Sequence, residues 1–194
     1  MNQTTDHHFI TQTLAGDPQA FGQLVMRYQD YVFTVVNRMV QHREEAQEIT
    51  QDTFVKAYGS LSSFRGDSKF SSWLYTIAYR KTLDRIKKNK RYAEFDALEQ
   101  VLSADEDTET HGLKRLVAQE RSATIKAAIA QLEPVTAALI SFYYYEELSV
   151  KEIEKITDLT PDNIKVKLYR GRKKLFQLLQ QAQFPEIQHG YGNL

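Results

Sequence analysis

The chain contains no cysteine, which excludes disulfides and thiolate metal sites. Its five histidines are scattered except for His7–His8, a pair in a polar terminus that reads as solvated. No uncharged apolar run approaches the roughly 20 residues a transmembrane helix needs. The opening stretch MNQTTDHHFITQTLAGD has neither the basic start nor the apolar core of a signal peptide. Strand-like alternation is absent throughout. There is also no phosphate-cradling glycine loop, no metal-spaced His set and no nucleophile beside a base. These absences argue against an enzyme, and no cofactor or metal is expected. They fit a reducing cytoplasm.

What is present is segregated charge. The 25 Lys and Arg balance the 25 Asp and Glu, for a net charge of zero. From Phe64 to Arg91, however, nine basic residues face two acids, a local net of +7. From Tyr92 to Leu113 there are seven acids and no Lys or Arg, and from Pro161 to Lys174 six basic residues face one acid. Anionic partners respond to local potential, so two basic blocks around an acidic stretch mean more than the neutral total.

The organisation is helical. In AGDPQAF, Gly16 suits a helix end, Asp17 a cap and Pro18 a first turn. Phe21, Leu24, Val25, Tyr28, Val32, Val35, Val36 and Met39 then recur every three or four residues, giving one apolar stripe. A second helix from about Glu44 to Ser60 buries Ala46, Ile49, Ala57 and Leu61, with Phe54 off the stripe by a residue. After SSFRGDSKF a third helix starts by burying Phe70, Trp73, Leu74, Ile77 and Ala78 and ends almost entirely charged. Residues from Tyr92 to about Gly112 carry much Asp and Glu with little periodicity and read as a mobile linker. Helices resume afterwards, and the tail FPEIQHGYGNL is polar. The fold class expected is all-α, with two small helical domains.

The last basic block has a built-in geometry. Ser149 followed by Glu152 makes a capping box for a short helix through Ile156. TDLT is a turn, after which Thr160 caps a helix with Pro161 in its first position. That is a helix-turn-helix, whose second helix is presented to the major groove. Ile164, Leu168, Gly171 and Leu175 fall in a narrow inward wedge. Asp162 and Asn163 lie where base edges are read, while Arg170, Arg172 and Lys173 suit phosphates. Six charges alone fit a solvated face equally well. The capped geometry favours DNA over that face and over a membrane-surface helix.

Four segments together resemble the extracytoplasmic-function (ECF) class of sigma-70 factors. AGDPQAFGQLVMRY is similar to the family's opening helix, EITQDTFVKAY to its polymerase-binding helix, and FRGDSKFSSWLYTIA to its −10 segment. LSVKEIEKITDLTPDNIKVKLYRGRKKL is similar to its −35 helix-turn-helix. They occur in family order across about residues 10 to 180. Asp158 stands where the family usually has a turn glycine, and Arg80 where it often has Asn. TPDN also differs from the commonest start of the recognition helix.

The resemblance implies a sigma region 2 domain over 5–92, an acidic linker over 93–118, a sigma region 4 domain over 119–182 and a flexible tail over 183–194. It implies that Glu48, Gln51, Asp52, Phe54 and Lys56 dock on core RNA polymerase. Of these, Glu48, Gln51, Asp52 and Lys56 lie opposite the apolar stripe, as docking requires, although plain surface polarity would look the same. The −10 element falls to Phe64, Arg65, Asp67, Ser68, Lys69, Phe70, Ser71, Trp73, Arg80, Lys81 and Arg85. A flipped base needs a small pocket with polar edges and an aromatic wall; Phe64, Phe70 and Trp73 suit that wall and suit core packing equally. The −35 element falls to Asp162, Asn163, Lys165, Lys167, Tyr169, Arg170, Arg172 and Lys173.

The expected partners are core RNA polymerase, promoter DNA (duplex at −35, melted at −10) and an anti-sigma factor. The free chain is expected as a monomer in the cytoplasm, joining the nucleoid when active or held at the membrane by its anti-sigma factor. A stand-alone helix-turn-helix regulator would explain the second basic block but not the first, and would be a dimer. A helical interaction protein that never touches DNA is a further alternative, which weak salt dependence of any DNA binding would favour. With seven acids between two basic domains, the free chain is also expected to fold back over its DNA surfaces.

Overall fold

In the computed structural model the described residues are 3–96 and 123–181, and every regular element among them is helical. Most of the stretch expected as linker, and the tail, lie outside them.

Helix α1 (Gln3–Leu14) closes at Gly16, whose φ of +103° favours a residue without Cβ. Asp17 then caps α2 (Pro18–Val40), its carboxylate accepting from the Gln19 amide at 2.9 Å. Helix α3 (Arg43–Gly59) is capped by the His42 ring, and a short 3₁₀ turn, Leu61–Ser63, leads into the 64–69 loop. Helix α4 (Phe70–Asp96) runs four residues into the stretch expected as linker. Next come α5 (123–130), α6 (Pro134–Tyr144), α7 (Val150–Thr157) and α8 (Pro161–Gln181).

The first helical group packs around Leu24, Tyr28, Val32, Val36, Ala46, Ile49, Leu74 and Ala78, all nearly solvent-free. Each large side chain of this kind contributes about 1.5–3 kcal/mol on burial. Asp6 pins α1 to α2 by accepting from Arg27 and, at 2.6 Å, from the Tyr28 hydroxyl. Burial, reinforced by that carboxylate, drives the Tyr28 phenol well above its ordinary pKa. The second group packs around Ile129, Leu139, Phe142, Ile153, Ile156, Ile164 and Leu168.

Tyr75 and Tyr79, unassigned in the sequence pattern, are buried on a second face of α4, where they pack on Phe142 of α6. Helices α2 and α4 contact α6 and α7, so the two groups share one continuous apolar cluster.

Candidate nucleic-acid interface

The helix-turn-helix forms as its caps dictate. Ser149 and Glu152 complete both halves of the capping box ahead of α7. The Ser149 backbone amide is the main reason the Glu152 carboxyl is held down at a pKa of about 2. Asp158 ends α7 with φ at 58°, the left-handed conformation that Asp tolerates. Helix α8 then seats Ile164, Leu168 and Gly171 inward. A Cβ on Gly171 would lie 2.7 Å from the Thr136 methyl, so the glycine is what lets α8 approach α6.

With that side buried, the other side of α8 is open. Asp162, Asn163, Lys165, Tyr169, Arg170, Arg172 and Lys173 are all exposed, and Lys167 is half-buried. Arg170 and Lys173 have no partner among the described residues. Lys165 lies 3.6 Å from Asp162, Lys167 3.1 Å from Glu133, and Arg172 donates to the Tyr144 hydroxyl at 3.3 Å. Such exposed contacts hold weakly. Val166, also exposed, escaped the sequence reading.

The 64–69 loop and the start of α4 frame a cleft of about 450 Å³. Phe64 and Phe70 line it, with Ser68, Lys69 and Asp67 at its edges and Glu152 and Lys155 of α7 opposite. Phe70 is only 3% exposed and stacks within a cluster with Phe64 and Trp73, ring centroids 5.4–5.8 Å apart. Ser71 is buried and does not line the cleft; Ser72 does. The buried Ser72 hydroxyl makes no hydrogen bond among the described residues, a feature with no local sequence signal. Arg65 is exposed, whereas the other four cations expected at the −10 element are engaged. Lys69 pairs with Glu152 at 3.0 Å and Arg80 with Asp158 at 2.8 Å. Lys81 pairs with Asp52 at 3.2 Å, and Arg85 with Glu45 and Glu48 at 3.4 and 3.2 Å.

On α3, Glu48, Gln51, Asp52 and Lys56 share an exposed face. Phe54 is not part of it: at 7% exposure it sits in the core, at the edge of the arc that Ala46, Ile49, Thr50, Thr53 and Ala57 bury. Val55, 72% exposed, occupies that face instead.

Family models carry these two groups separately: Sigma-70 region 2 matches residues 24–92 and Sigma-70, region 4 matches 122–175. The ECF RNA polymerase sigma factor SigW of Bacillus subtilis is 33% identical over 86% of this chain and 92% of its own length. The chain belongs to the ECF sigma factors of the sigma-70 family. As such it directs promoter-specific initiation of transcription. The RNA polymerase sigma-H factor of Pseudomonas aeruginosa is 29% identical over 93% of this chain and 96% of its own length. Among solved structures, the sigma factor RpoE in complex with the anti-sigma factor NepR from Bartonella quintana superposes with a TM-score of 0.67. It is 20% identical, over 82% of this chain and 96% of that one. CnrH in complex with the cytosolic domain of CnrY gives 0.62 at 22% identity, over 91% and 98%. Both share the fold.

Between regions 2 and 4 of this sigma factor lies a polar cluster that the sequence reading missed. Tyr75 donates to Glu146 at 2.5 Å, and Arg38 donates to Ser141 at 3.0 Å while lying 3.8 Å over the Tyr145 ring. Burial pushes the Glu146 carboxyl above its ordinary range, opposed by the Tyr75 hydrogen bond and the Arg38 charge. Burial likewise lowers the Arg38 guanidinium and raises the Tyr75 phenol. Only the Tyr and Phe of α4 and the run of them at the end of α6 hinted at this joint.

Proposed function

We propose that region 4 (119–182) reads the −35 element through α8 and that region 2 (5–92) captures and opens the −10 element, with 93–118 linking them. The observation that carries this reading is the open face of α8, where Arg170 and Lys173 have no partner among the described residues beyond a capped helix-turn-helix. Asn163 and Lys165 meet base edges, while Arg170, Arg172 and Lys173 meet phosphates. In region 2 the Phe64–Phe70 wall and the Ser68 and Ser72 hydroxyls receive an unstacked base. Phe70 and Trp73 set the wall by packing on Phe64. Arg65, Lys69, Arg80, Lys81 and Arg85 follow the strand backbone.

Core polymerase docks on Glu48, Gln51, Asp52, Val55 and Lys56, with Phe54 holding the helix from behind. The chain acts as a binding subunit without catalysis of its own, in the cytoplasm, under the control of an anti-sigma factor. No helix among the described residues is long and apolar enough to cross a membrane.

The test is co-elution of the purified chain with core RNA polymerase, followed by transcription from a cognate promoter. One chain per polymerase supports the reading. Gln51→Ala with Asp52→Lys is expected to abolish co-elution while leaving helix content intact. Normal assembly of that variant would move the docking face elsewhere.

A further inference from the structure

The open face of α8 is basic on its flanks but not along the first half of its crest. Ile164, Leu168 and Gly171 are buried on one side of the helix. At 100° per residue, the opposite side carries Asp162, Val166, Tyr169 and Lys173, spaced by four, three and four residues. Val166 and Lys173 lie within about 15° of the line opposite the buried wedge. Arg170 stands on one flank of this ridge, Lys165 and Arg172 on the other. A helix with its side chains nearly fills the width of a major groove, so flanks meet the phosphate walls and the ridge meets base edges.

The first two residues of the ridge have the wrong chemistry for a phosphate. Val166 has no donor, and Asp162 is an acid. Val166 is 45% exposed, and a β-branched residue is a poorer helix former than the Lys, Arg and Gln at other exposed positions of α8. The Asp162 carboxylate is 94% exposed and lies no closer than 3.6 Å to Lys165. An acid in a first turn also suits the helix dipole, so Val166 is the sharper signal. We infer that Val166 reads the 5-methyl group of a thymine in the −35 major groove, and that Asp162 accepts from the exocyclic amine of a cytosine within about two base pairs of it. This rests on the assignment of α8 to the −35 element. Thymine alone among the four bases presents an apolar group on the floor of that groove. Cytosine presents its amine without a neighbouring acceptor, whereas adenine sets N7 beside its amine and guanine presents acceptors only, which repel a carboxylate. The N-terminal half of a recognition helix reaches the base edges, where these two residues lie.

The experiment uses the full chain assembled with core RNA polymerase. Promoters are selected from a randomised duplex library as competitor-resistant complexes, with wild type, Val166→Ala and Asp162→Asn in parallel. Each −35 thymine of the wild-type element is then replaced by uracil, which removes only the methyl, and binding is read by fluorescence anisotropy. The expected result is one thymine position at which uracil weakens the wild-type complex about fourfold, as for one buried methyl. At that position uracil and thymine bind Val166→Ala alike, and the Val166→Ala selection loses its thymine. Asp162→Asn exchanges the nearby cytosine for adenine, the base an amide pairs with.

A wild-type element without thymine, or one in which uracil matches thymine at every position, overturns the methyl contact, and this arm requires no variant to fold. A uracil effect of the same size in Val166→Ala gives the methyl to another residue and overturns it equally. An unchanged cytosine in the Asp162→Asn selection overturns the part of the carboxylate. Should the wild-type complex select no base at −35, the assignment of α8 to that element fails. That result is distinct from an element selected without dependence on the methyl.

Discussion

Helix α8 carries its cations outward from a domain whose other side is buried, whereas α4 is buried along a broader arc and its cations meet acids of the elements beside it. The two are alike in charge and in their place beside a promoter element. They differ in what surrounds them. Among the described residues Asp162 and Glu133 pair with Lys165 and Lys167 of α8, and Arg170 and Lys173 meet neither. Around α4, acids of α3 and of region 4 reach Lys81, Arg85, Lys69 and Arg80. A basic run in a sequence thus states a potential, and packing decides whether that potential is available.

The comparison can be broken hardest at Phe142, which faces Tyr75 and Tyr79 across the seam. Phe142→Ala removes a fully buried ring and is expected to cost about 3–5 kcal/mol in denaturant unfolding. Retention of wild-type stability would show that the seam does not close in solution. Tyr75→Phe is a finer cut. It keeps the ring but leaves the Glu146 carboxyl without its hydrogen bond, for an expected loss of about 1–3 kcal/mol. If chemical denaturation finds no loss, the two regions are not joined at that edge.

On the α8 side, Gly171→Ala sets a methyl against Thr136, whose hydroxyl donates to Glu133 at 3.2 Å. Overpacking of about 1–3 kcal/mol is partly offset by about 1 kcal/mol of helix propensity, leaving a net loss of about 1 kcal/mol. Thr136→Ser in the same chain should restore stability by removing the methyl; no rescue would place the strain elsewhere. Arg170→Ala should weaken duplex binding and make the salt slope shallower by about 0.9. An unchanged slope would remove Arg170 from the phosphate set.

The smallest effect expected is acid sensitivity. The Glu152 carboxyl is depressed in the folded chain from 4.5 to about 2. Its contribution is therefore present above pH 4.5 and lost as pH falls towards about 2. Glu152→Gln should flatten the stability of region 4 across that window by removing the titrating group. An identical acid titration for both proteins would contradict the capping role.

Much of this arrangement was legible in the sequence because it rests on local rules. Asp17–Pro18, Ser149–Glu152 and the Asp158 turn each declare a helix end within a few residues, and the α2 and α8 stripes each bury one face. What was hidden depends on contacts distant in sequence. Tyr75, Tyr79 and Glu146 carry no periodic signal because α4 is apolar on two faces and Glu146 lies in a turn. Phe54, expected at the docking face, gave way there to Val55 for a similar reason: neighbouring residues differ by about 100° on a helix, and the larger of the two went inward. Ser72 in place of Ser71 at the cleft is the same one-residue distinction.

The most direct test of the closed joint uses the absence of cysteine, since introduced thiols are then the only ones labelled. Met26→Cys on α2 and Lys151→Cys on α7, both exposed positions, take a donor and an acceptor dye. Energy transfer is measured in the free chain and after binding to core RNA polymerase at a level that supports transcription. The account predicts high transfer in the free chain and a clear fall in the complex. Low transfer in the free chain, or unchanged high transfer in a transcribing complex, would contradict it.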